Sequence, residues 1–402
     1  MTPRRIWMVL LMVAALSAPA EPRAASVYSM VLVGEAVESG DVRAISLGGS
    51  TQLFVDSLGA VQMNPALLAR IPRVTIGATQ YIAVDQGRSD AYRERDVSFT
   101  FSSFRIVFPI TGLFRFGIGY TGRYEPEGSF SLRDVTDGGD EFTQTYTKSG
   151  GLFSIPLTAA FDVTRYASVG LTFSFERGTI EERWDVVFDE LSFVPGAGLK
   201  KKDLSGTGFG GGVVLYPASG VTIGGMCESA VDYDAEVYEK YTQVSLDTSY
   251  SSTLSLPARV SAGATWRFGD TFMVLASAAW RDFADFEGLG FVPGSLQREE
   301  SYSLGAEYLR GFRLGSQRLP LRAGFNYQRL PLEFPAGEAV NKYLVSLGTG
   351  IPIRGGKGKV DIAFLVGKNG SIATNGIEDR LFRVYLGISG GETWTRKGEE
   401  HY

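Results

Sequence analysis

Histidine and cysteine, which supply many catalytic bases, nucleophiles and zinc ligands, are almost absent from this sequence. The chain of 402 residues has one histidine, His401, beside the last residue, and one cysteine, Cys227. A lone terminal histidine disfavours Ser–His and Cys–His pairs and histidine metal sites, and a lone cysteine forms no disulfide within the chain. Carboxylate pairs such as Glu181 and Glu182 remain available for acid–base chemistry. We nevertheless expect no enzyme, with no catalytic residue, metal or cofactor.

Long hydrophobic runs are missing beyond the N-terminus. Residues 1–20 combine two arginines, an apolar run over 6–16 and a small-residue site over 18–20, which predicts a cleaved signal peptide. Cleavage after Ala24 or Ala25 is an alternative. No later run approaches the ~20 apolar residues that a membrane helix needs. If the exported chain lies in a membrane, it crosses as a closed barrel, because only that structure otherwise satisfies its backbone groups in lipid.

Charge of either sign is modest. Charged residues make up 21% of the chain, and the formal net charge is -5, which becomes -7 when the two arginines of 1–20 are removed. This mild acidity argues against nucleic acid as a partner. The short basic run over 200–202 has two interpretations, contact with outer-membrane lipid or lipopolysaccharide and a plain solvated loop.

Glycine and aromatic residues are plentiful, at 50 glycines and 12% aromatics. This combination fits strands that alternate between a lipid face and a crowded interior. From Val74 onward, segments of about 10 to 13 residues alternate between apolar and polar side chains. Arginine at mid-bilayer on a lipid face costs roughly 2–4 kcal/mol, so we expect the arginines of these segments to face inward. Arg115, Arg259, Arg322 and Arg383 all fall in the polar phase.

The alternation and the turns between segments predict the strands of a barrel. The predicted strands are 73–84, 97–110, 113–124, 151–162, 166–177, 205–217, 219–230, 254–267, 270–281, 299–311, 318–329, 341–353, 358–367 and 380–391. Their connections alternate between short turns and long loops, as in outer-membrane barrels. Within 97–110 the apolar phase slips between Phe101 and Ile106, which indicates either a β-bulge or two segments wrongly merged into one strand.

The segment 41–71 has no sustained periodicity, yet it is rich in apolar side chains. Gly48-Gly49, Gly59 and Asn64-Pro65 are turn signals. A compact, irregular and half-apolar segment needs a container that satisfies its backbone groups. The strands that follow it in the chain would form such a container.

An ordered set of motifs is followed by a strand. The motifs are Arg43-Ala44, Gly48-Gly49, Asp56 and Asn64-Pro65-Ala66-Leu67. Together they resemble the N-terminal hatch of the FadL/TodX family. These are outer-membrane transport proteins for long-chain fatty acids and other hydrophobic compounds. After the predicted signal peptide over 1–20, we expect a hatch over 21–72 that plugs the lumen, as the resemblance implies, then a barrel over 73–391 and a periplasmic tail over 392–402. The hatch residues would be Gly48, Gly49, Asp56, Asn64, Pro65 and Ala66.

In this family the third and fourth outer loops form a hydrophobic groove where ligand first binds. By order these are the predicted loops 178–204 and 231–253. The implied ligand-binding residues are Trp184, Val187, Phe188, Leu191, Phe193, Tyr238 and Tyr241. The alternative is that these side chains only pack the loops over the barrel mouth. The family also kinks its third strand to open a lateral exit, which the glycines of 113–124 would permit.

The expected fold is an all-β transmembrane antiparallel barrel of about 14 strands in a Gram-negative outer membrane. The expected function is passive uptake of hydrophobic small molecules such as long-chain fatty acids. One alternative is a non-transporting barrel that serves as a scaffold or secretion-associated partner-binding protein. Another is a diffusion porin for polar solutes, which would need an open lumen without the 41–71 plug.

Overall fold

The described part of the chain covers the barrel and the segment before it. A computed structural model describes residues 28–49, 53–54, 56–89, 93–136, 138–189, 194–242, 246–284, 286, 296–315, 317–335, 337–353 and 356–392. The predicted signal peptide and all but the first residue of the predicted tail 392–402 lie outside these residues. None of the described helices is long and apolar enough to cross a membrane.

Within the described residues, eighteen strands form one closed antiparallel sheet, and the first of them, β1 (Glu35–Ala36), lies inside it. The wall strands are β2 (Val74–Ser89), β3 (Arg93–Pro109), β4 (Phe114–Glu125) continued by β5 (Gly128–Val135), β6 (Glu141–Thr164), β7 (Ala167–Phe188), β8 (Gly196–Ala218), β9 (Val221–Glu228) continued by β10 (Val231–Tyr241), β11 (Leu246–Leu256) continued by β12 (Arg259–Phe268), β13 (Phe272–Asp282), β14 (Arg298–Leu314), β15 (Gln317–Glu333), β16 (Ala339–Ile353), β17 (Gly358–Ser371) and β18 (Ile377–Glu392). They cross the wall 14 times, and β18 closes the barrel on β2. The predicted fold class is confirmed.

Side chains alternate across the wall as a membrane barrel requires. Arg115, Arg322 and Arg383 are buried on the inside, whereas large apolar side chains are exposed on the outside. Aromatic pairs flank this apolar band, such as Trp266 with Phe268, whose ring centroids lie 4.5 Å apart near the short turns. An outward apolar band with aromatic margins is a lipid-facing surface.

Strand β7 shows where the wall leaves the lipid. Its outward side chains are apolar up to Phe175 and polar from Arg177 to Asp185. On the inward side the order is reversed, with polar side chains up to Glu176 and mainly apolar ones from Ile180. The strand therefore passes from membrane to water near residues 175–177. Beyond this level the sheet stands in water with an apolar inner face.

The sheet above the membrane is the collar, formed by the described residues within 128–152, 177–207 and 231–256. The prediction of loops over 125–150, 178–204 and 231–253 is therefore largely wrong. The strands continue there, and β7 pairs with β8 up to Val186 opposite Gly196. The cause of the error is the reversal of polarity, which ends the outward apolar alternation while the backbone ladder goes on.

The N-terminal segment runs through the barrel from its outer mouth toward its periplasmic end. Its described residues within 28–71 are called the lumen segment. It contains 3₁₀ turns at Tyr28–Met30 and Pro65–Arg70 and a short helix, α1 (Val42–Ile45). Near the outer mouth the Tyr28 hydroxyl donates to the carbonyl of Ile377 at 3.0 Å. A second short helix, α2 (Ile372–Asn375), connects β17 and β18.

The wall has an irregular place between β3 and β4. Strand β3 carries a bulge at Ser102, which confirms the predicted phase slip. Strand β4 pairs with β3 only up to Thr121 opposite Ser103, and its end then pairs with β1, with Glu125 opposite Glu35. We call the unpaired stretch, between β3 residues 93–102 and β4 beyond Thr121, the seam.

Candidate functional site

The Asn64-Pro65-Ala66 turn fixes the lumen segment against the wall. The Asn64 Oδ1 atom accepts a hydrogen bond from the Ala66 amide at 3.0 Å, and its Nδ2 donates to the carbonyl of Gly225 on β9 at 3.2 Å. Pro65 occupies the first position of the 3₁₀ turn, where its missing N–H costs nothing. Asn64 thus both caps the turn and ties it to the barrel.

Glycines in the wall make room for this turn. A Cβ atom at Gly170 on β7 would lie 2.4 Å from the carbonyl carbon of Pro65, and one at Gly212 on β8 would lie 3.0 Å from Pro65 Cδ. Other wall glycines that face the segment closely are Gly77, Gly117, Gly224, Gly263, Gly305, Gly324, Gly348 and Gly387.

Gly48 and Gly49 end helix α1 and turn the chain along β14 and β15. Their φ angles are +101° and +71°, in the left-handed region that favours glycine. A Cβ atom on Gly48 would lie 2.9 Å from the carbonyl oxygen of Phe325. These two predicted hatch residues therefore meet both a conformational and a spatial requirement.

Asp56, another predicted hatch residue, joins a buried network of charges. Its carboxylate accepts hydrogen bonds from Arg43 Nη1 at 3.2 Å, Lys359 Nζ at 2.8 Å and the amide of Leu58 at 3.0 Å. Burial alone would raise the pKa of Asp56, but the positive charges of Lys359 and Arg43 hold it well below its ordinary value. Asp56 is therefore ionised and paired.

The network continues into the wall. Arg43 also binds Glu307 on β14 at 2.6 Å, and Arg322 on β15 joins Glu307 at 2.8 Å to Asp361 on β17 at 2.6 Å. Lys359 lies 2.6 Å from Asp361. The charge lattice is formed by Asp41, Arg43, Asp56, Glu307, Arg322, Lys359 and Asp361, with Asp41 3.4 Å from Lys359. It attaches the lumen segment to three strands, on the opposite side from the Asn64 turn.

The collar brings some of the predicted ligand-binding residues together. Trp184 and Tyr241 both lie opposite Gly198, on the inner face of the collar. The Trp184 ring lies 5.3 Å from that of Tyr146 on β6. Phe188 lies on the same face, 5.6 Å from Phe142. An aromatic inner face thus spans β6 to β10.

Other predicted ligand-binding residues lie elsewhere. Val187 and Tyr238 face outward, and the Tyr238 hydroxyl donates to Asp247 Oδ1 at 3.2 Å. Leu191 and Phe193 lie outside the described residues. Sequence reasoning missed Phe142 and Tyr146, although their spacing of four on one side of a strand was a usable signal.

The basic run over 200–202 lies in β8 and forms no common patch. Lys200 and Lys202 face inward, 2.7 Å from Glu239 and Glu182 respectively. Lys201 faces outward and lies 3.0 Å from Asp203. The interpretation as a solvated loop is therefore wrong, because all three residues belong to the collar sheet.

Two cavities between the described parts of the lumen segment and the wall are small. One of about 80 Å³ lies among Arg123, Arg259, Arg281 and Glu38, and another of about 60 Å³ lies beside Met63. Ligand pockets for drug-sized molecules have volumes of roughly 300–1,000 Å³. These cavities suit water molecules, so an apolar ligand needs the segment to move or a path that avoids it.

Comparison with known proteins supports the fold. A family model described as BamG matches residues 1–220 and 225–399. No curated protein matches the chain. Similar solved structures include a Pseudomonas aeruginosa FadL homologue, at 14% identity and a TM-score of 0.63, which covers 89% of this chain and 99% of that one. The monoaromatic hydrocarbon channel CymD is 15% identical with a TM-score of 0.57, over 89% and 99%. The Pseudomonas putida toluene transporter TodX is 12% identical with a TM-score of 0.57, over 89% and 100%.

Proposed function

The chain belongs to the BamG family and has the fold of the FadL and TodX channels, and we propose that it is an outer-membrane channel for passive uptake of hydrophobic small molecules. Long-chain fatty acids are among the molecules we propose. The observation that carries the proposal is the seam, where β4 leaves β3 after Thr121. A barrel wall that lacks backbone pairing from the level where the strands leave the lipid offers an apolar molecule a route to the bilayer.

The collar would capture the ligand. Its inner face presents Trp184, Phe188 and Tyr241 above the mouth, and aromatic faces bind apolar molecules through their large contact area. Its outer face is mainly polar and offers an apolar ligand little contact area. The captured molecule would then pass along the lumen segment to the seam and leave sideways.

The lumen segment would act as the hatch. It fills the lumen while its two attachments, the Asn64 turn and the charge lattice, hold it to opposite walls. Deletion of 41–71 should raise ion conductance in planar bilayers, because closed strands alone would leave the lumen wet. Equal and negligible conductance of two correctly inserted proteins would show that this segment is not the plug.

Uptake of a fluorescent long-chain fatty acid into proteoliposomes tests the proposal, with matched collar variants. The double variant Trp184→Ala with Phe188→Ala removes two inner-face rings of β7. The double variant Val187→Ala with Tyr238→Ala removes one outward side chain of β7 and one of β10. We expect uptake to fall in the Trp184→Ala, Phe188→Ala variant and to stay unchanged in the Val187→Ala, Tyr238→Ala variant. Uptake no faster than that of empty liposomes by the intact protein would overturn the proposed function.

A second candidate is a barrel that binds a protein partner at its mouth without transport. The small lumen cavities and the collar, which stands well clear of the membrane, favour it. In that case the same inner-face variant would release a co-purifying partner, and fatty acid uptake would be absent from every protein tested. A measured uptake that depends on Trp184 and Phe188 would decide for the channel.

A further inference from the structure

The seam is closed by side chains where the backbone ladder is missing. Glu125, the last residue of β4, accepts hydrogen bonds from the hydroxyl of Thr100 on β3, at 2.9 and 3.1 Å to its two carboxylate oxygens. It also accepts one from the hydroxyl of Tyr81 on β2 at 3.2 Å. One carboxylate thus joins three neighbouring strands across the gap.

The backbone pattern shows why a side-chain connection is needed at this position. Beyond Thr121 the amides and carbonyls of β3 that point toward β4 have no partner in that strand. The bulge at Ser102 starts the separation, because an extra residue in β3 shifts its register against β2. Strand β4 then turns inward and pairs with β1. Among the described residues, side-chain hydrogen bonds to Glu125 connect β3 with β4 above this level.

The surroundings of Glu125 make this connection weak. A cavity of about 40 Å³ at the seam is lined by Asp85, Asp96, Glu125 and Glu127 together with Arg383. Arg383 is already bound to Glu35 and to Asp85, at 3.1 and 3.2 Å. Like charges that converge at one place repel one another. The cavity therefore favours separation of the strands, against the hydrogen bonds of Glu125.

We propose that Glu125, held by Thr100 and Tyr81, is the latch of a lateral gate between β3 and β4. The gate opens when these hydrogen bonds break and the outer part of β3 moves away from β4. This inference rests on the proposed function for its purpose, since it names what regulates the lateral exit. The latch itself is a property of the wall and is measurable without transport.

The experiment reports on the seam through a cysteine at Ser98, which is half-buried and lines the same cavity. Cys227→Ser removes the native thiol in every protein. A methanethiosulfonate reagent then labels Ser98→Cys at a rate that follows opening of the seam. Loss of a hydrogen bond to a charged group weakens the closed seam, so we expect roughly tenfold or more faster labelling in Thr100→Val and in Glu125→Ala. Tyr81→Phe should give a smaller increase.

Matched controls separate the latch from general loosening. Thr172→Val removes a hydroxyl that bonds Thr158 at 3.1 Å across the fully paired strands β6 and β7, so labelling should not change. Thr100→Ser keeps the hydroxyl and should label at the original rate. Heat-modifiable migration on gels shows that each variant is folded.

Unchanged labelling in folded Thr100→Val and Glu125→Ala overturns the latch. Faster labelling with no fatty acid uptake by any protein keeps the latch and rejects the channel. Uptake that proceeds normally while these variants label at the original rate keeps the channel and rejects the latch. The two proposals therefore fail in different measurements.

Discussion

The Oδ1 atom of Asn64 lies where a side chain at Gly212 would begin, since a Cβ atom built on Gly212 falls 2.2 Å from it. The contact joins the lumen segment to β8, and it leaves no space for any other residue type without movement. The glycine of the wall and the asparagine of the turn are therefore one structural unit, although 148 positions separate them in the chain.

Gly212→Ala should loosen the lumen segment while the barrel stays folded. Overpacking of this kind typically costs about 1–3 kcal/mol, and here the turn is the part that can move. We expect higher ion conductance in planar bilayers and faster protease cleavage within 41–71. Gly211→Ala is the matched control, because its Cβ atom would make only ordinary contacts, at 3.6 Å to the Leu171 side chain and 3.9 Å to the carbonyl oxygen of Gly170. Equal conductance of the two variants would contradict this prediction.

The charge lattice should stabilise the closed position of the segment. Glu307→Gln leaves Arg43 and Arg322 buried with one carboxylate fewer, and breaking a buried pair costs about 3–5 kcal/mol. We expect a lower free energy of unfolding in urea titrations and larger conductance.

An exposed pair provides the comparison for the lattice. Asp270→Asn removes the partner of Arg267 at a periplasmic turn, where the aspartate is 85% exposed. Such pairs contribute about 0–1 kcal/mol. If Glu307→Gln proves no more destabilising than Asp270→Asn, the lattice does not hold the segment.

The barrel was predictable because lipid imposes a strict pattern. Side chains of a membrane strand must alternate between apolar ones that face lipid and polar ones that face the lumen. The strands around Arg115 and Arg322 could therefore be identified, with their arginines inside. The bulge near Ser102 was visible as a slip in the same alternation. The collar was not predicted, because water replaces lipid above Phe175 and the polarity of the two faces reverses there.

The partners within the lumen could not be predicted. Asp56 was singled out from its place in the hatch motif, but its partner Lys359 lies 303 positions away and looked like any polar-phase residue. Pairings of this kind depend on the register of strands around the barrel. Of the seam, only a kink permitted by the glycines of 113–124 was predicted. The role of Glu125 became visible only from the positions of the side chains around it.

The seam should respond to pH through Glu127, which lies between β4 and β5. Burial, and then the charges of Glu125, Asp96 and Asp85, raise the pKa of Glu127 to about 7. A raised carboxyl pKa means that the closed seam binds the proton more tightly than an open one. Closure is therefore most stable at low pH and weakens as pH rises from the ordinary carboxyl pKa toward 7.

The mobility of a spin label on Ser98→Cys measures this response, because its line shape does not depend on thiol chemistry at the time of measurement. We expect a more mobile label at pH 8 than at pH 5. Glu127→Gln should flatten the change between these values, while Asp270→Asn should leave it intact. Identical spectra at both pH values in the parent protein would contradict the prediction.

The height of the membrane on β7 can be tested with two outward-facing positions of one strand. Leu171 is 66% exposed within the apolar band, and Val187 is 52% exposed on the collar. Leu171→Arg places a charge in lipid, which costs roughly 2–4 kcal/mol near the bilayer midplane, whereas Val187→Arg places it in water. We expect a large loss of unfolding free energy in bilayers for Leu171→Arg and almost none for Val187→Arg. In detergent micelles, where water reaches the wall more easily, the difference should shrink. Equal destabilisation in bilayers would mean that lipid reaches the collar, and that the reversal of polarity near residues 175–177 does not mark the membrane surface.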